Sequence, residues 1–364
     1  MSEKVLMKGN DAIAEAAIRA GCGAYFGYPI TPQNEIPAYM AKNMLDRGRI
    51  FIQAESEIAA IIMVYGASCA GMRTMTSSSS PGISLKQEGI SYAAGADVPL
   101  VLVNVQRGGP GLGNIAPAQS DYFQSTRGGG HGDYKCIVLA PKSVQECADL
   151  TYLAFDLADK YRMPVIVLAD GMLGQMMEGC VLPPEKTAPK RDWTAGGCAD
   201  RSDKKAIHIT SIDLVPESLE AKTKERFKRY EKINEAEIRY EETNCKDAEL
   251  IMVAYGTCAR VCLGAQKLAQ KEGIKLGIFR PISLWPFPYE ALGKLTIDPR
   301  LPAPGSHKPL LTVEMSEGQL VEDVKLSAYY TGSKSKVHLL GHSGGIIPTE
   351  EEVFAACKQA LAQR

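Results

Sequence analysis

The sequence predicts an α/β protein made of two doubly wound parallel-sheet domains. Short apolar segments that read as strands alternate along the chain with longer segments of helical periodicity. Residues 100–105 are rich in valine and leucine with Asn104 as the single interruption, which is typical of a strand covered by helices on both faces. The alternation stops at residue 181 and resumes at residue 250, which indicates a second, smaller sheet.

Local signals predict the elements of the first domain. An alanine-rich helix over 9–21 is followed by a strand at 24–27, and Thr31 and Pro32 are suited to the N-cap and N1 positions of the next helix. The nearly all-apolar stretch at 57–71 predicts a buried helix. Further strands are predicted at 51–53, 73–76, 100–105, 136–140 and 164–169, with a loop over 77–82 and a capping box at Ser143 and Glu146.

The chain is predicted to divide into three parts. Residues 1–190 form the first domain, residues 191–247 a charged linker or arm, and residues 248–364 the second domain. In the second domain, strands at 250–255, 275–281, 310–315 and 336–340 alternate with helices at 257–272, 286–295, 319–330 and 349–362.

Bulk composition excludes several classes of protein. The 364 residues are 45% hydrophobic and 23% charged, with a net charge of -1, so we predict a globular protein with no nucleic-acid partner. No apolar run approaches the roughly 20 residues that span a bilayer, and we see no signal peptide; we therefore expect a cytoplasmic protein without a membrane partner. The ten cysteines contain no CxxC pair, so we expect neither an iron–sulfur cluster nor zinc on this chain.

Three loops rich in Gly, Pro, Ser and Thr follow predicted strands, at 29–31, 77–82 and 107–113. Ligands of doubly wound sheets bind beyond the carboxyl ends of the strands, so these loops predict a binding site. The glycine-rich segment 109–113 has neither the Lys-Ser/Thr ending of a Walker loop nor the position of a dinucleotide fingerprint.

Six motifs occur in a fixed order along the chain: GYPITP at 27–32, QAESE at 53–57 with YGA at 65–67, MTSSSSPG at 75–82, RGGPG at 107–111, QSD at 119–121 with GGHGD at 129–133, and EM at 314–315 with GQL at 318–320. On these motifs the chain resembles the alpha subunits of 2-oxoacid:ferredoxin oxidoreductases from end to end. The amino-acid sequence at 7–17, 27–35, 75–85 and 121–133 is most similar to the 2-ketoisovalerate branch of this family.

The resemblance implies a pyrimidine-binding (PYR) thiamine diphosphate domain followed by a transketolase C-terminal-like domain. The GDG element that normally holds Mg²⁺ and the diphosphate is missing. The family therefore implies that thiamine diphosphate lies at an interface with a beta subunit carrying the diphosphate-binding domain. Mg²⁺ and [4Fe-4S] clusters would lie on partner subunits, including gamma and delta subunits, with coenzyme A as cosubstrate and ferredoxin as electron acceptor.

The resemblance also assigns the catalytic carboxylate. In thiamine enzymes a glutamate of the PYR domain contacts the aminopyrimidine nitrogen N1′, and it stands nine positions before a Gly-Ala or Gly-Tyr step. Counting back from Gly66 gives Glu57, and not Glu55. Taken alone, Glu57 also suits an ordinary acidic residue at a helix start.

Substrate contacts are implied at Thr31 and Arg107, with Arg107 clamping the 2-oxoacid carboxylate. The alternatives are a simple N-cap for Thr31 and an acid-paired surface arginine for Arg107. The other cofactor-binding residues implied are Pro29, Ile30, Ser79, Ser80 and Pro81, and the alternative for the 77–82 loop is a serine-rich turn with no ligand. His131 is a candidate acid–base or gating residue, or an exposed loop histidine.

Taken together, the resemblance implies an enzyme subunit for the oxidative decarboxylation of a branched-chain 2-oxoacid to an acyl-CoA. Two alternatives stay open. A second cation in the pocket would favour 2-oxoglutarate as substrate, whereas loss of the site residues would favour a non-catalytic scaffold subunit.

Overall fold

The computed structural model describes residues 4–195, 206–297 and 307–363. Its first half contains, in chain order, β1 (Val5–Lys8), α1 (Gly9–Arg19), β2 (Ala24–Gly27), α2 (Glu35–Met44), β3 (Ile50–Gln53), α3 (Glu57–Cys69), β4 (Thr74–Ser78), α4 (Ser80–Gly95), β5 (Leu100–Gln106), α5 (Tyr122–Thr126), β6 (Ile137–Leu139), α6 (Val144–Tyr161), β7 (Pro164–Asp170), α7 (Gly171–Gln175) and β8 (Met177–Cys180). Its second half contains α8 (Pro216–Ala236), β9 (Tyr240–Thr243), β10 (Leu250–Val253), α9 (Gly256–Lys271), β11 (Leu276–Pro281), β12 (Ser283–Trp285), α10 (Tyr289–Leu295), β13 (Leu310–Glu314), α11 (Leu320–Tyr330), β14 (Val337–Gly341) and α12 (Glu350–Ala362).

The first sheet has seven strands in the order β12-β6-β7-β5-β4-β2-β3, and all pairs except β12 with β6 are parallel. Its central strands β5 and β7 are buried at every position. Separate apolar clusters cover the two faces of the sheet: α1 and α6 pack on one face, and α3 and α4 on the other. This confirms the predicted doubly wound sheet.

The second sheet has five strands in the order β14-β13-β10-β11-β9, parallel except for the edge strand β9. Every strand predicted after residue 250 is present, which confirms the second doubly wound sheet. The antiparallel strands β9 and β12 were not predicted. After β11 the chain crosses back, and β12 pairs with β6 of the first sheet. Strand β12 follows β11 after a single residue, so the sequence does not mark it as a separate strand.

Two predicted boundaries in the first domain are wrong. The second helix begins at Glu35 with Asn34 as N-cap, and not at Thr31. The Pro32 carbonyl instead accepts hydrogen bonds from the Asn10 and Gln175 side chains, so this stretch forms a turn.

The predicted loop over 77–82 is also wrong. Strand β4 continues to Ser78, and helix α4 begins at Ser80 with proline in its first turn. Serine is tolerated in this buried strand because its hydroxyl has hydrogen-bond partners inside the protein. Ser77 Oγ lies 2.7 Å from the Tyr25 hydroxyl and donates to Gln33 Oε1. A serine run therefore does not by itself mark a loop here.

The carboxyl ends of the two sheets face each other. The Gln119 side chain donates to the Tyr255 carbonyl (2.9 Å) and accepts from Met315 N (3.2 Å). Asp170, at the end of β7, accepts hydrogen bonds from Thr257 N (3.2 Å) and Thr257 Oγ1 (2.7 Å), where α9 begins. These buried contacts fix the two halves together and leave a cleft between their strand ends. No helix in the described ranges is long and apolar enough to cross a membrane.

Candidate active site

A cleft of about 530 Å³ lies where the two sheets meet. One wall is formed by the start of α4, the glycine-rich loop that follows β5, and residues 118–121. The opposite wall is formed by the segments that follow β13 and β14. The cleft is thus bounded by strand carboxyl ends of both sheets, the position where ligands of such folds bind.

Glu57 is the first residue of α3, the helix that covers this end of the first sheet. The Ser56 side chain accepts from Ala59 N and caps the helix. Glu57 is 6% exposed, whereas Glu55 is exposed. A carboxylate at this end of a helix is stabilised by the helix dipole, so burial of Glu57 there is electrostatically reasonable.

Gly82 allows the Glu57 carboxylate to lie directly against α4. A Cβ atom at Gly82 would lie 2.6 Å from Glu57 Oε1 and 2.1 Å from Ser78 Oγ. Both distances are too short for carbon against oxygen, so any side chain at this position would displace the carboxylate or the strand end. Glycine is therefore required here by close approach.

Buried polar atoms without a hydrogen-bond partner among the described residues gather at the ends of β4 and β5. They are Ser78 Oγ, Ser79 Oγ, Asn104 Oδ1 and Arg107 Nε. Most buried polar atoms in proteins have a partner, and each exception needs an explanation. Of these four residues Arg107 lines the cleft, and its free Nε is explained by a polar ligand that bonds it. Ser78, Ser79 and Asn104 are 0% exposed and lie outside the cleft lining.

Arg107 follows β5 and is 9% exposed. Its Nη1 donates to the Thr31 carbonyl (2.9 Å) and its Nη2 to the Leu112 carbonyl (3.1 Å). In the described part of the chain no carboxylate lies within 4.0 Å of its nitrogens, although a buried guanidinium normally requires an anion. The fork is thus held in place by carbonyl groups, and its charge is left for a ligand.

Thr31 meets Arg107 through that carbonyl contact, and its hydroxyl accepts from Asn34 Nδ2 at 3.3 Å. Pro29 is exposed and Ile30 half-buried, both in the turn between β2 and α2. The structure therefore brings Thr31 and Arg107 together. None of Pro29, Ile30 and Thr31 lines the cleft described above.

Ser80 and Pro81 line the cleft at the start of α4. The Ser80 hydroxyl donates to Asp121 Oδ2 (2.6 Å) and accepts from Arg107 N (3.0 Å), so it already holds the strand end in place. Asp121 also accepts from Asn104 Nδ2 at 2.9 Å. Burial raises the pKa of Asp121, and its hydrogen bonds oppose that rise.

Asp121 and Asn104 were not predicted as site residues. Asn104 could have been identified because it is the one polar residue between Leu100 and Val105, the otherwise apolar stretch of β5. Such a residue, close to the carboxyl end of a buried parallel strand, is expected to face the ligand-binding edge.

His131 lies apart from this group. It is exposed, in a loop whose backbone is held beside α4 because the His131 carbonyl accepts from Ser91 Oγ. Ser91 is eleven residues beyond Ser80, which along an α-helix is about 16 Å. The structure does not bring the His131 side chain to the Arg107 cleft, and a gating role for it stays a prediction.

The residues present fit the aminopyrimidine half of thiamine diphosphate. A buried carboxylate at Glu57 can bond a ring nitrogen, and the free hydroxyls of Ser78 and Ser79 can bond further polar groups. Fold and site together define a domain of the thiamine-binding class.

Comparisons with known proteins support the same thiamine-binding class. Residues 15–243 match the family described as pyruvate flavodoxin/ferredoxin oxidoreductase, thiamine diphosphate-binding, and residues 248–353 match pyruvate:ferredoxin oxidoreductase core domain II. The ketoisovalerate oxidoreductase subunit VorB of Methanothermobacter thermautotrophicus is 49% identical, with 93% of each chain covered. The 2-oxoglutarate synthase subunit KorA of the same organism is 36% identical, with 97% of this chain and 98% of KorA covered.

Among solved structures, the chain is similar to the 2-oxoglutarate:ferredoxin oxidoreductase from Magnetococcus marinus with 2-oxoglutarate, coenzyme A and succinyl-CoA bound. The TM-score is 0.85 at 27% identity, over 99% of this chain and 66% of the other. The chain therefore spans about two thirds of that chain's length. It belongs to the 2-oxoacid:ferredoxin oxidoreductase family, as a subunit of an oxidoreductase that works with partner subunits.

Proposed function

We propose that this chain is the alpha subunit of a branched-chain 2-oxoacid:ferredoxin oxidoreductase that acts on 2-ketoisovalerate. The reaction converts the 2-oxoacid and coenzyme A into acyl-CoA and CO2, with electrons passing to ferredoxin in the cytoplasm. The higher identity to VorB than to KorA, 49% against 36%, supports the branched-chain assignment. In this proposal residues 1–190 are the PYR domain, residues 191–247 the arm and residues 248–364 the transketolase C-terminal-like domain.

The observation that carries this substrate assignment is the charge of the cleft. Arg107 is the one cation among the described residues that line it, and the two other charged residues there are Asp121 and Glu317. A monocarboxylate such as 2-ketoisovalerate needs one cation. The second carboxylate of 2-oxoglutarate would meet no further cation and two acids, which disfavours it.

Each residue has a defined task in this proposal. Arg107 binds the substrate carboxylate with its guanidinium fork and so fixes the oxo carbon in the cleft. The Thr31 hydroxyl faces the substrate oxygens, and Glu57 holds a proton at the ring nitrogen of the cofactor. When bound, thiamine diphosphate supplies the nucleophilic carbon and the electron sink for decarboxylation. Ser80 and Pro81 line the cleft, and Pro29, Ile30 and Ser79, which do not, are the other cofactor-binding residues of this proposal.

The apolar surface beside Glu57 supports a partner subunit. Sequence predicted α3 to be buried, yet Ile58 is 52% exposed and Ile62 42% exposed on its outer face. Ile50 and Ile52 of the edge strand β3, together with Leu85 of α4, are exposed as well. Large apolar side chains exposed in this number near one site are typical of a protein interface. We infer that the beta subunit, with the diphosphate-binding domain and Mg²⁺, covers α3 and closes the cofactor site.

The gamma and delta subunits, at least one with [4Fe-4S] clusters, would complete the route to ferredoxin. The relatives are themselves named as subunits, which supports an assembly of several chains.

Replacing Ile62 by aspartate is expected to prevent assembly with the beta subunit. Ile62 is partly exposed in this chain, so the isolated subunit should fold normally, whereas a buried, unpaired carboxylate in the complex costs several kcal/mol. Size-exclusion chromatography of co-expressed subunits measures the complex. Leu214→Asp is the matched control, because Leu214 is 85% exposed in the arm and not on α3. Normal assembly of the Ile62 variant would place the partner elsewhere.

The function is tested by reconstituting the complex anaerobically with thiamine diphosphate, Mg²⁺ and coenzyme A. Viologen reduction is followed with 2-ketoisovalerate, pyruvate and 2-oxoglutarate as substrates. Highest kcat/KM with 2-ketoisovalerate is the expected result. Activity with 2-oxoglutarate alone would keep the class and overturn the substrate, and no activity with any 2-oxoacid in a correctly assembled complex would favour a scaffold.

A further inference from the structure

A lysine is buried beside the proposed catalytic carboxylate. Lys86 is fully buried in α4, one turn beyond Gly82 and three residues before Gly89. Both glycines bring α4 close to α3: a Cβ at Gly89 would lie 2.6 Å from Ile61, as one at Gly82 would from Glu57. Lys86 thus lies in the seam between the two helices, and its side chain projects back toward the helix start, where Glu57 lies.

The Lys86 ammonium is held by two acceptors. Nζ donates to Thr76 Oγ1 at 3.1 Å and to the main-chain carbonyl of Glu57 at 3.4 Å. Within the described ranges no carboxylate lies close enough to form an ion pair with it. The contact with the Glu57 carbonyl ties the first turn of α3, and with it the Glu57 side chain, to α4 and β4.

Burial of this ammonium is costly, and packing alone does not require it. An apolar side chain of similar length would fill the seam without the cost of removing a charge from water. Burial lowers the pKa of Lys86 to about 7, and the negative charge of Glu57 acts in the opposite direction. Glu57 is the charged group in the described structure that acts electrostatically on Lys86; Thr76, on β4, does not titrate.

We propose that Lys86 is a positioning residue for Glu57: its hydrogen bond to the Glu57 carbonyl fixes the first turn of α3, and with it the Glu57 side chain. The inference rests on the proposed catalytic role of Glu57.

The first test reads this contact directly, without activity. In the full chain, hydrogen exchange at the Ala60 amide, which bonds the Ser56 carbonyl in the first turn of α3, is expected to become faster in Lys86→Met. Carbon-13 NMR of labelled lysine follows Lys86, whose signal is assigned by its absence in that variant, and Glu57→Gln is expected to lower the pKa of Lys86. Lys86→Met should keep its thermal stability, because methionine fills the seam. If it fails to fold, the Glu57→Gln arm decides alone.

The second test uses the reconstituted complex. Lys86→Met is expected to lower kcat about tenfold with little change in the KM for the 2-oxoacid, because the change acts on the position of Glu57 and not on substrate binding. Lys308→Met is the matched control, since Lys308 is likewise buried, at 2% exposure, and bonds main-chain carbonyls, but it lies just before β13 in the second half of the chain. Its kcat should not change.

The outcomes separate the two proposals. Unchanged exchange at the Ala60 amide and an unchanged kcat in Lys86→Met, with Glu57→Gln inactive, would overturn the role of Lys86 alone. A fully active Glu57→Gln enzyme would overturn the proposed role of Glu57, whatever Lys86 does. A fall in kcat of equal size in Lys308→Met would show a general effect on folding and would also overturn the inference.

Discussion

Replacing Glu57 by glutamine is expected to lower kcat of the assembled enzyme by about 10²–10⁴-fold, the range that a positioned acid–base group contributes. Glutamine keeps the size of the side chain and can still donate a hydrogen bond, but it cannot transfer a proton at the ring nitrogen. Because the Ser56 cap, which holds the helix start, is untouched, the fold should be unchanged. Viologen reduction under saturating 2-oxoacid and coenzyme A measures the loss.

The matched control is Glu55→Gln, two residues earlier in the same acidic segment. Glu55 is exposed, and a solvated carboxylate would make a weaker bond to the cofactor than one shielded from water. We expect that variant to retain activity close to that of the unmodified enzyme. The reverse pattern, an inactive Glu55 variant and an active Glu57 variant, would move the catalytic carboxylate to Glu55.

The fold was predictable because its strongest signals are local. Strands such as β5 and β7 are uniformly apolar, and helices such as α6 carry caps, so their existence follows from short stretches of sequence. The start of α2 and the end of β4 were predicted wrongly because long-range contacts decide them. Asn10 and Gln175, distant in sequence, bond the Pro32 carbonyl.

Residues of the candidate site could be predicted only where they belong to a recognisable sequence motif. Thr31 and Arg107 follow strand ends, and the structure joins them through one hydrogen bond. Lys86 and Asp121 could not be found in this way. Burial of Lys86 depends on the close contact of two helices, and the contact of Asp121 with Ser80 spans 41 positions of sequence.

Replacing Arg107 by methionine is expected to reduce kcat/KM for the 2-oxoacid by about 10²–10³-fold, because removing one partner of a buried charge pair costs roughly 2–5 kcal/mol. Arg107→Lys should recover only part of this loss. A lysine supplies the charge, but it lacks the planar fork that bonds both carboxylate oxygens and the Thr31 and Leu112 carbonyls together.

The loss at Arg107 should be confined to the 2-oxoacid. If this cation binds the substrate carboxylate, its removal weakens 2-ketoisovalerate and pyruvate alike and leaves the KM for coenzyme A unchanged. Arg260→Met is the matched control, because Arg260 pairs with Glu178 outside this cleft. A variant with normal 2-oxoacid kinetics and an altered KM for coenzyme A would instead assign Arg107 to the cosubstrate. The charge of the cleft would then no longer argue for a monocarboxylate, since the cation that supports that assignment would be engaged elsewhere.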